Sequence, residues 1–279
     1  MDTVDFIQIV LGYYRTYRRD LMWREPEADG TFDPYKIMVS EIMLQQTQVN
    51  RVTPKYINFI CRFPSITSLA HAPLGDVLHA WSGLGYNRRA KFLHQAAKHV
   101  STEFGGVVPS TETNLVSLPG IGVNTAGAIL AYAFNAPTVF IETNIRTVYL
   151  HHFFKHMDNV ADSVLLPHLV ESVRYISDTG ETSIREWYWA LMDYGVYLKS
   201  SAGNASRRSK HHQSQSSFAG SRRQVRGKIL TQLTEGNMSE IEIYQKLDKD
   251  ARTNSVLEDL TLEGLIYKSG LKYRLGDGL

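Results

Sequence analysis

Apolar side chains return every three to four positions through most of the first 200 residues, the spacing that gathers them on one helix face. Between Val4 and Arg19 the set is Phe6, Ile9, Val10, Tyr13, Tyr14 and Tyr17, which predicts an opening helix. The Pro, Gly and Asp of REPEADGTFDPYK interrupt the rhythm and predict a loop. Residues 35–63 then predict two helices, the first carrying Ile37, Met38, Ile42 and Met43. The same spacing predicts helices over 65–70, 73–81, 88–104, 111–117, 124–134, 141–154, 160–175 and 183–197. No long period-two alternation occurs here, so the expectation is an all-α body with short links.

The pattern stops at KSSAGNASRRSKHHQSQSSFAGSRR, which is polar, Ser-rich and basic and reads as a linker or extended loop. Periodicity resumes in RRQVRGKILTQLTE, in SEIEIYQKL with Ser239 as an expected N-cap, and in ARTNSVLEDLTLEGL. LIYKSGLKYRL then predicts two short strands around Ser269-Gly270. Three helices and a hairpin make a winged-helix arrangement, whose third helix could enter a DNA groove or serve protein contacts. The pattern therefore divides the chain into a helical body to about residue 198, a basic linker over 199–221 and a winged helix over 222–279.

Composition adds three constraints. The chain has 279 residues and is 43% hydrophobic, enough for a sizeable core. It has no apolar run of membrane-spanning length and no signal-peptide pattern, so a cytoplasmic protein is expected. Its one cysteine, Cys61, excludes an intrachain disulfide or a multi-cysteine metal site, and its apolar setting predicts a buried small hydrophobe. Net charge is only +2, but no acid lies between Asp193 and Glu235, while Lys199, Arg207, Arg208, Lys210, Arg222, Arg223, Arg226 and Lys228 are all basic.

Candidate chemistry begins at SLPGIGVNTAGAIL, residues 117–130. Gly120 and Gly122 could take positive φ and bare the backbone just before a helix whose first amides lack partners. That combination suits a phosphate, and it would equally make an ordinary helix–helix turn. Glu41 lies in the apolar VSEIMLQQ, where desolvation would favour the neutral acid, although Gln45 and Gln48 beside it also allow a solvated face. Glu142, between PTVFI and TNIRTV, could serve as an N-cap or first-turn acid of the next helix.

Leu118-Pro119-Gly120-Ile121-Gly122 followed by Thr125-Ala126-Gly127 resembles the helix-hairpin-helix of DNA glycosylases of the endonuclease III superfamily. SEIMLQQTQVNRVTPKY, WSGLGYNRRAKFLHQAA and ALMDYG are similar to the adenine mismatch (MutY) branch, and the resemblance runs from about Trp23 to Tyr197. It implies a helical domain formed by 1–22 with 141–198, and a central helical barrel domain over 23–140 that carries the hairpin. It also implies a monomer acting at the nucleoid, where a base is flipped from double-stranded DNA and cut from its sugar. Glu41 would protonate the departing base, and Glu142 would stabilise the cationic sugar where the family usually has aspartate. Asn144 would lie near the DNA backbone, as would Leu118, Gly120 and Gly122 of the hairpin. Gln45, Gln46 and Thr47 would fill the space left by the base, and Tyr86 would wedge beside the opposite one. Trp23, Arg24, Asn124 and Trp189 would line the base pocket.

The resemblance also implies departures. Bifunctional members carry a hairpin lysine; the matching residue is Asn124, so an abasic site should be left intact. Four cysteines that commonly hold an iron–sulfur cluster are missing from VYLKSSAGNASRRSKHHQ, so no cofactor is expected, with Arg207, Arg208 and Lys210 taking over phosphate contacts. No metal site is expected on the adjacent His211 and His212. Trp189 stands where adenine-specific members usually have Glu or Gln. The 8-oxoguanine-recognition domain is replaced by the shorter winged helix. The expected function is excision of adenine opposite guanine or 8-oxoguanine, with Glu41 and Glu142 on opposite walls of a cleft. The alternatives are a thymine or uracil mismatch glycosylase and a non-catalytic DNA-binding protein.

Overall fold

The structure is a computed structural model that describes residues 1–213, 217–276 and 278. Residues 214–216 of the expected linker, and 277 and 279 of the expected C-terminal domain, lie outside the described residues. The described chain is mostly helical, with one small sheet. In order it forms α1 (Thr3–Tyr17), α2 (Pro34–Leu44), α3 (Val49–Arg62), α4 (Ile66–His71), α5 (Leu74–Trp81), α6 (Arg88–Glu103), α7 (Glu112–Val116) and α8 (Val123–Phe134). There follow α9 (Thr143–His152), α10 (Asp162–Thr179), α11 (Ile184–Ser201), α12 (Arg222–Glu235), β1 (Met238–Ser239), α13 (Glu240–Lys246), α14 (Thr253–Leu262), β2 (Ile266–Ser269) and β3 (Lys272–Leu275).

These elements gather into two compact units. The first comprises Met1–Met38, Ser110–Val116 and Ile121–Ser214. Its core is aromatic: the Phe6 ring lies 5.0 Å from Tyr149, 4.9 Å from Phe153 and 6.0 Å from Trp187. Asp2 caps α1 and Ser183 caps α11, each accepting a first-turn amide. The α1 helix forms as its spacing predicts, but the buried face is Phe6, Ile7, Val10, Leu11 and Tyr14, while Ile9 and Tyr17 are 43% and 63% exposed. Helix α11 meets α9 at Gly195, where a Cβ would lie 2.5 Å from the Asn144 carbonyl oxygen, so only glycine fits.

The first half of the expected linker is folded. Helix α11 runs on to Ser201, and a 3-10 turn follows over Ala205–Arg208. Val160 then pairs with this segment, donating to the Arg208 carbonyl at 3.0 Å and accepting from the Lys210 amide at 2.9 Å.

The second unit comprises Val39–Pro109, Ser117–Gly120 and Gln215–Leu279. Phe59, Phe63 and Trp81 pack edge to face in its helical part. Cys61 is exposed, against the expectation of burial. The buried side of α3 is Val52, Tyr56 and Phe59, and a residue two positions past Phe59 is carried about 200° round the helix.

In the C-terminal part, β2 and β3 form the hairpin predicted at Ser269-Gly270, with Ser269 opposite Lys272. A strand that the pattern did not reveal, β1, pairs with the other edge of β3, giving the antiparallel order β1-β3-β2. Ser239 caps α13 as expected, in a reciprocal box with Glu242. These elements pack on α5 and α6: the Leu275 carbonyl oxygen lies 3.0 Å from where a Cβ on Gly75 would sit, and Lys91 Nζ donates to the Glu263 carbonyl at 2.6 Å.

Candidate functional site

The segment after α7 carries Leu118, which is buried, and Gly120, which has φ +80°. A side chain at Gly120 would meet the Phe92 Cβ at 2.7 Å, so both backbone and space demand glycine. Gly122 is different from expectation: it has φ −92°, an extended N-cap that any residue could adopt. Its use is what it lacks, since it brings no side chain to the α8 amides. Gly122, Val123 and Asn124 are exposed at the positive end of a twelve-residue helix.

The head of α9 is filled instead. Glu142 is its N-cap, and its Oε1 accepts the Asn144 amide at 2.6 Å and the Ile145 amide at 3.1 Å. Burial pushes the carboxyl above its ordinary value, against the lowering effect of the two amides, Lys199 and Arg146. Lys199, from α11, donates to Asn144 Oδ1 at 2.5 Å. Burial lowers the Lys199 ammonium, while Glu142 acts to raise it. The N-cap alternative for Glu142 is therefore realised, and it leaves Oε2 as the oxygen able to meet a ligand.

Glu41 is half-buried on α2 among the buried Val39, Ser40, Ile42 and Met43. The turn after it is organised by Arg89 of α6, which the sequence did not single out. This guanidinium donates to the carbonyls of Ile42 (2.8 Å), Met43 (2.9 Å), Gln45 and Gly85 (3.2 Å), and to Thr47 Oγ1 (2.9 Å). Helix α2 thus ends on carbonyls satisfied by one side chain. Burial pulls the Arg89 guanidinium down to about 10. Gln46 takes φ +55° and is exposed at the tip. Tyr86, at φ +47°, is also exposed; its hydroxyl accepts from Arg223 Nη1 of α12 at 2.8 Å, and Arg89 lies against its ring at 5.5 Å.

Trp23 is buried, and the Arg24 fork is used by the buried Asp193 of α11, each terminal nitrogen at 2.9 Å from one carboxylate oxygen. Arg19 adds a third contact, Nε to Oδ1 at 2.7 Å. Arg24 therefore does not present a free fork to a purine; its Nε is buried and unpaired in the structure. Trp189 is 7% exposed, stacked 6.0 Å from Tyr132, with Phe32 at 5.6 Å and the Arg24 guanidinium over its ring at 5.4 Å.

The cationic strip dissolves into separate tasks. Arg208 is corrected from a phosphate contact to an internal clamp: it donates to the carbonyls of Leu150 (2.9 Å), Phe154 and Met157 (3.4 Å), closing the end of α9. Arg222 pairs with Asp259 and Arg226 with Glu263, both at 2.6 Å. Arg207 and Lys210 are exposed. Sequence order could not show these commitments, because each partner lies more than thirty residues away. Among the described residues, no group of three or more His, Cys, Asp or Glu is placed to hold a metal.

The family of HhH-GPD superfamily base excision DNA repair proteins matches residues 39–165. An adenine DNA glycosylase of Buchnera aphidicola subsp. Baizongia pistaciae is 38% identical over 71% of this chain, which spans about half (54%) of that relative's length. An adenine DNA glycosylase of Mycolicibacterium smegmatis is 31% identical over 92% of this chain and 91% of its own. Among solved structures, a thermostable thymine-DNA glycosylase superposes with a TM-score of 0.57 at 25% identity, over 69% of this chain and 85% of that one.

Proposed function

The chain belongs to the HhH-GPD superfamily of base excision DNA repair proteins, and from that membership we propose that it is a monofunctional DNA N-glycosylase removing adenine mispaired with guanine or 8-oxoguanine. The observation that carries this reading is the head of α9, a half-buried carboxylate near a lysine with one oxygen left to act. The adenine glycosylases among its relatives supply the substrate class.

The chemistry follows from what breaking an N-glycosidic bond requires. The base must leave the stack before its sugar bond can be reached. Glu41 gives a proton to the departing purine, so the base leaves neutral. The electron deficiency left at the sugar's anomeric carbon is met by Glu142 Oε2, and a water adds there as its second proton passes to solvent. The amides at the head of α8, to which Gly122 brings no side chain, hold a phosphate of the damaged strand, with Leu118 and Gly120 fixing the turn. Gln45, Gln46 and Thr47 fill the vacated space, and Tyr86 wedges beside the opposite base. Asn124, which has no amine, cannot form an imine with the sugar, so the abasic site survives.

An iron–sulfur cluster does not fit the residues present. Residues 196–213 contain no cysteine, and the single Cys61 lies on α3. The 3-10 turn and the Arg208 clamp occupy that stretch of chain with ordinary hydrogen bonds. The C-terminal helices and hairpin are read as a winged helix whose Arg223 steadies Tyr86. A thymine glycosylase is the second reading, favoured by the likeness to the thymine-DNA glycosylase structure and by the apolar Trp189.

The test is incubation with duplexes carrying A opposite 8-oxoguanine, A opposite G, T opposite G and U opposite G, each followed by alkali. Strand breakage only after alkali, abolished in Glu41→Gln, is the expected result with the A duplexes. Breakage confined to T or U would install the second reading. Breakage without alkali would remove the monofunctional assignment.

A further inference from the structure

We propose that Lys199 is a positioning residue for excision: its ammonium, fixed by Asn144, is the counter-charge of the Glu142 carboxylate. The effect on rate rests on the glycosylase reading above; the charge pairing itself does not.

The inference comes from accounting for the charges at the head of α9. Arg146 lies one turn from Glu142 on the same helix, but it is committed elsewhere. Its Nε donates to Asp162 Oδ1 and its Nη2 to Asp162 Oδ2, both at 2.7 Å. This bidentate pair with α10 is close to neutral as a whole. On α11, Asp193 is taken by Arg19 and Arg24. On the 3-10 turn, Arg208 serves the carbonyls at the opposite end of α9. Helix α8 carries no charged side chain. Among the described residues at the head of α9, Lys199 is then the cation without an acid of its own, and Glu142 the acid without a cation.

Asn144 joins them. Its amide donates to Glu142 Oε1, and its side-chain oxygen accepts from Lys199 Nζ. The ammonium is thereby held beside the carboxylate without covering it, which leaves Oε2 open. Lys199 would otherwise be badly placed: it is half-buried, near the positive end of α9 and close to Arg146. The nearby anion that offsets those three costs is Glu142. The reverse also holds, because a buried carboxylate stays charged only with a partner. Burial raises Glu142 and Lys199 opposes that rise.

Two measurements on the full-length protein test the proposal. The first is the pH profile of single-turnover excision on whichever duplex is cut. In Lys199→Met and Lys199→Gln the acidic limb is expected to move to higher pH by about one unit or more. Lys199→Arg, which keeps the charge, should return the limb toward its original position. Lys199→Gln retains a donor for Asn144, so an original limb in that variant would assign Lys199 a hydrogen-bonding role only and overturn the proposal. A uniform fall in rate with no shift of the limb would do the same. The second measurement is the carbon-13 titration of the Glu142 carboxyl by NMR, with Lys199→Gln as comparison. An upward shift in the variant supports the pairing even if no duplex is cut, and an unchanged titration overturns it. Loss of the glycosylase reading is thus separable from loss of this one.

Discussion

Two helix heads in the same unit are built in opposite ways. Helix α8 starts on Gly122, which brings no side chain to its amides, whereas α9 starts on Glu142, whose carboxylate takes two of them. Both heads have the same intrinsic need, since the first turn of any helix leaves amides unpaired. At α9 the protein supplies the anion itself and so fixes a charged group in position. At α8 it brings no side chain to that seat, the arrangement proposed to receive a DNA phosphate. The difference teaches that one backbone feature can serve binding or chemistry, according to whether its N-cap has a carboxylate.

Removing the charge from the filled head is expected to have the largest effect. Glu142→Gln keeps an oxygen able to cap α9, so the fold should survive while single-turnover excision falls about a hundred- to a thousandfold. The pH profile sharpens this. A raised carboxyl pKa means that, as pH falls, Glu142 is protonated sooner than an ordinary glutamate. The working anion is lost first, so the wild-type acidic limb should lie above the usual carboxylate range and should vanish in the Gln variant. A limb at the ordinary value would break the contrast between the two heads.

A smaller effect is expected from making the empty head resemble the filled one. Gly122 has φ −92°, so Gly122→Asp brings no backbone strain and gives α8 its own cap. Thermal stability should be maintained or rise slightly. Affinity for duplex DNA should fall about tenfold or more, because like charge now meets the phosphate. Unchanged affinity in a binding titration would remove α8 as the phosphate seat.

The smallest effects should come from the exposed cations beyond α11. Arg207→Ala and Lys210→Ala are each expected to weaken binding a few-fold and lower the salt slope by about one. Arg208→Ala should instead leave the salt slope alone and cost about 2 kcal/mol of stability, read by denaturation, because three carbonyls lose the Arg208 guanidinium, although that of Phe154 keeps the Met157 amide as a donor.

Much of this organisation was legible in the chain. Periodicity located the helices, Ser239 announced its cap, and Ser269-Gly270 announced the hairpin. LPGIG marked Gly120, and the N-cap alternative for Glu142 was visible from the residues. What failed did so for identifiable reasons. The face of α1 was misjudged because Ile9 and Tyr17 fit a helical repeat as well as the buried set does. The basic strip looked uniform because sequence shows charge without partners, and Arg208, Arg222 and Arg226 find theirs across the fold.

The sequence by itself determined where the helices fall, the Ser239 cap and the left-handed turn at Gly120, because those depend on local backbone sterics and on side chains within one turn. Only the tertiary structure decided which of many charges are paired off within the fold and which are left for the proposed chemistry. Asp193 closed on Arg24, Asp162 closed on Arg146, and Lys199 was left facing Glu142. Electrostatic pairing acts through space over a few ångströms, and residues 142 and 199 become neighbours only when α9 packs on α11 at Gly195.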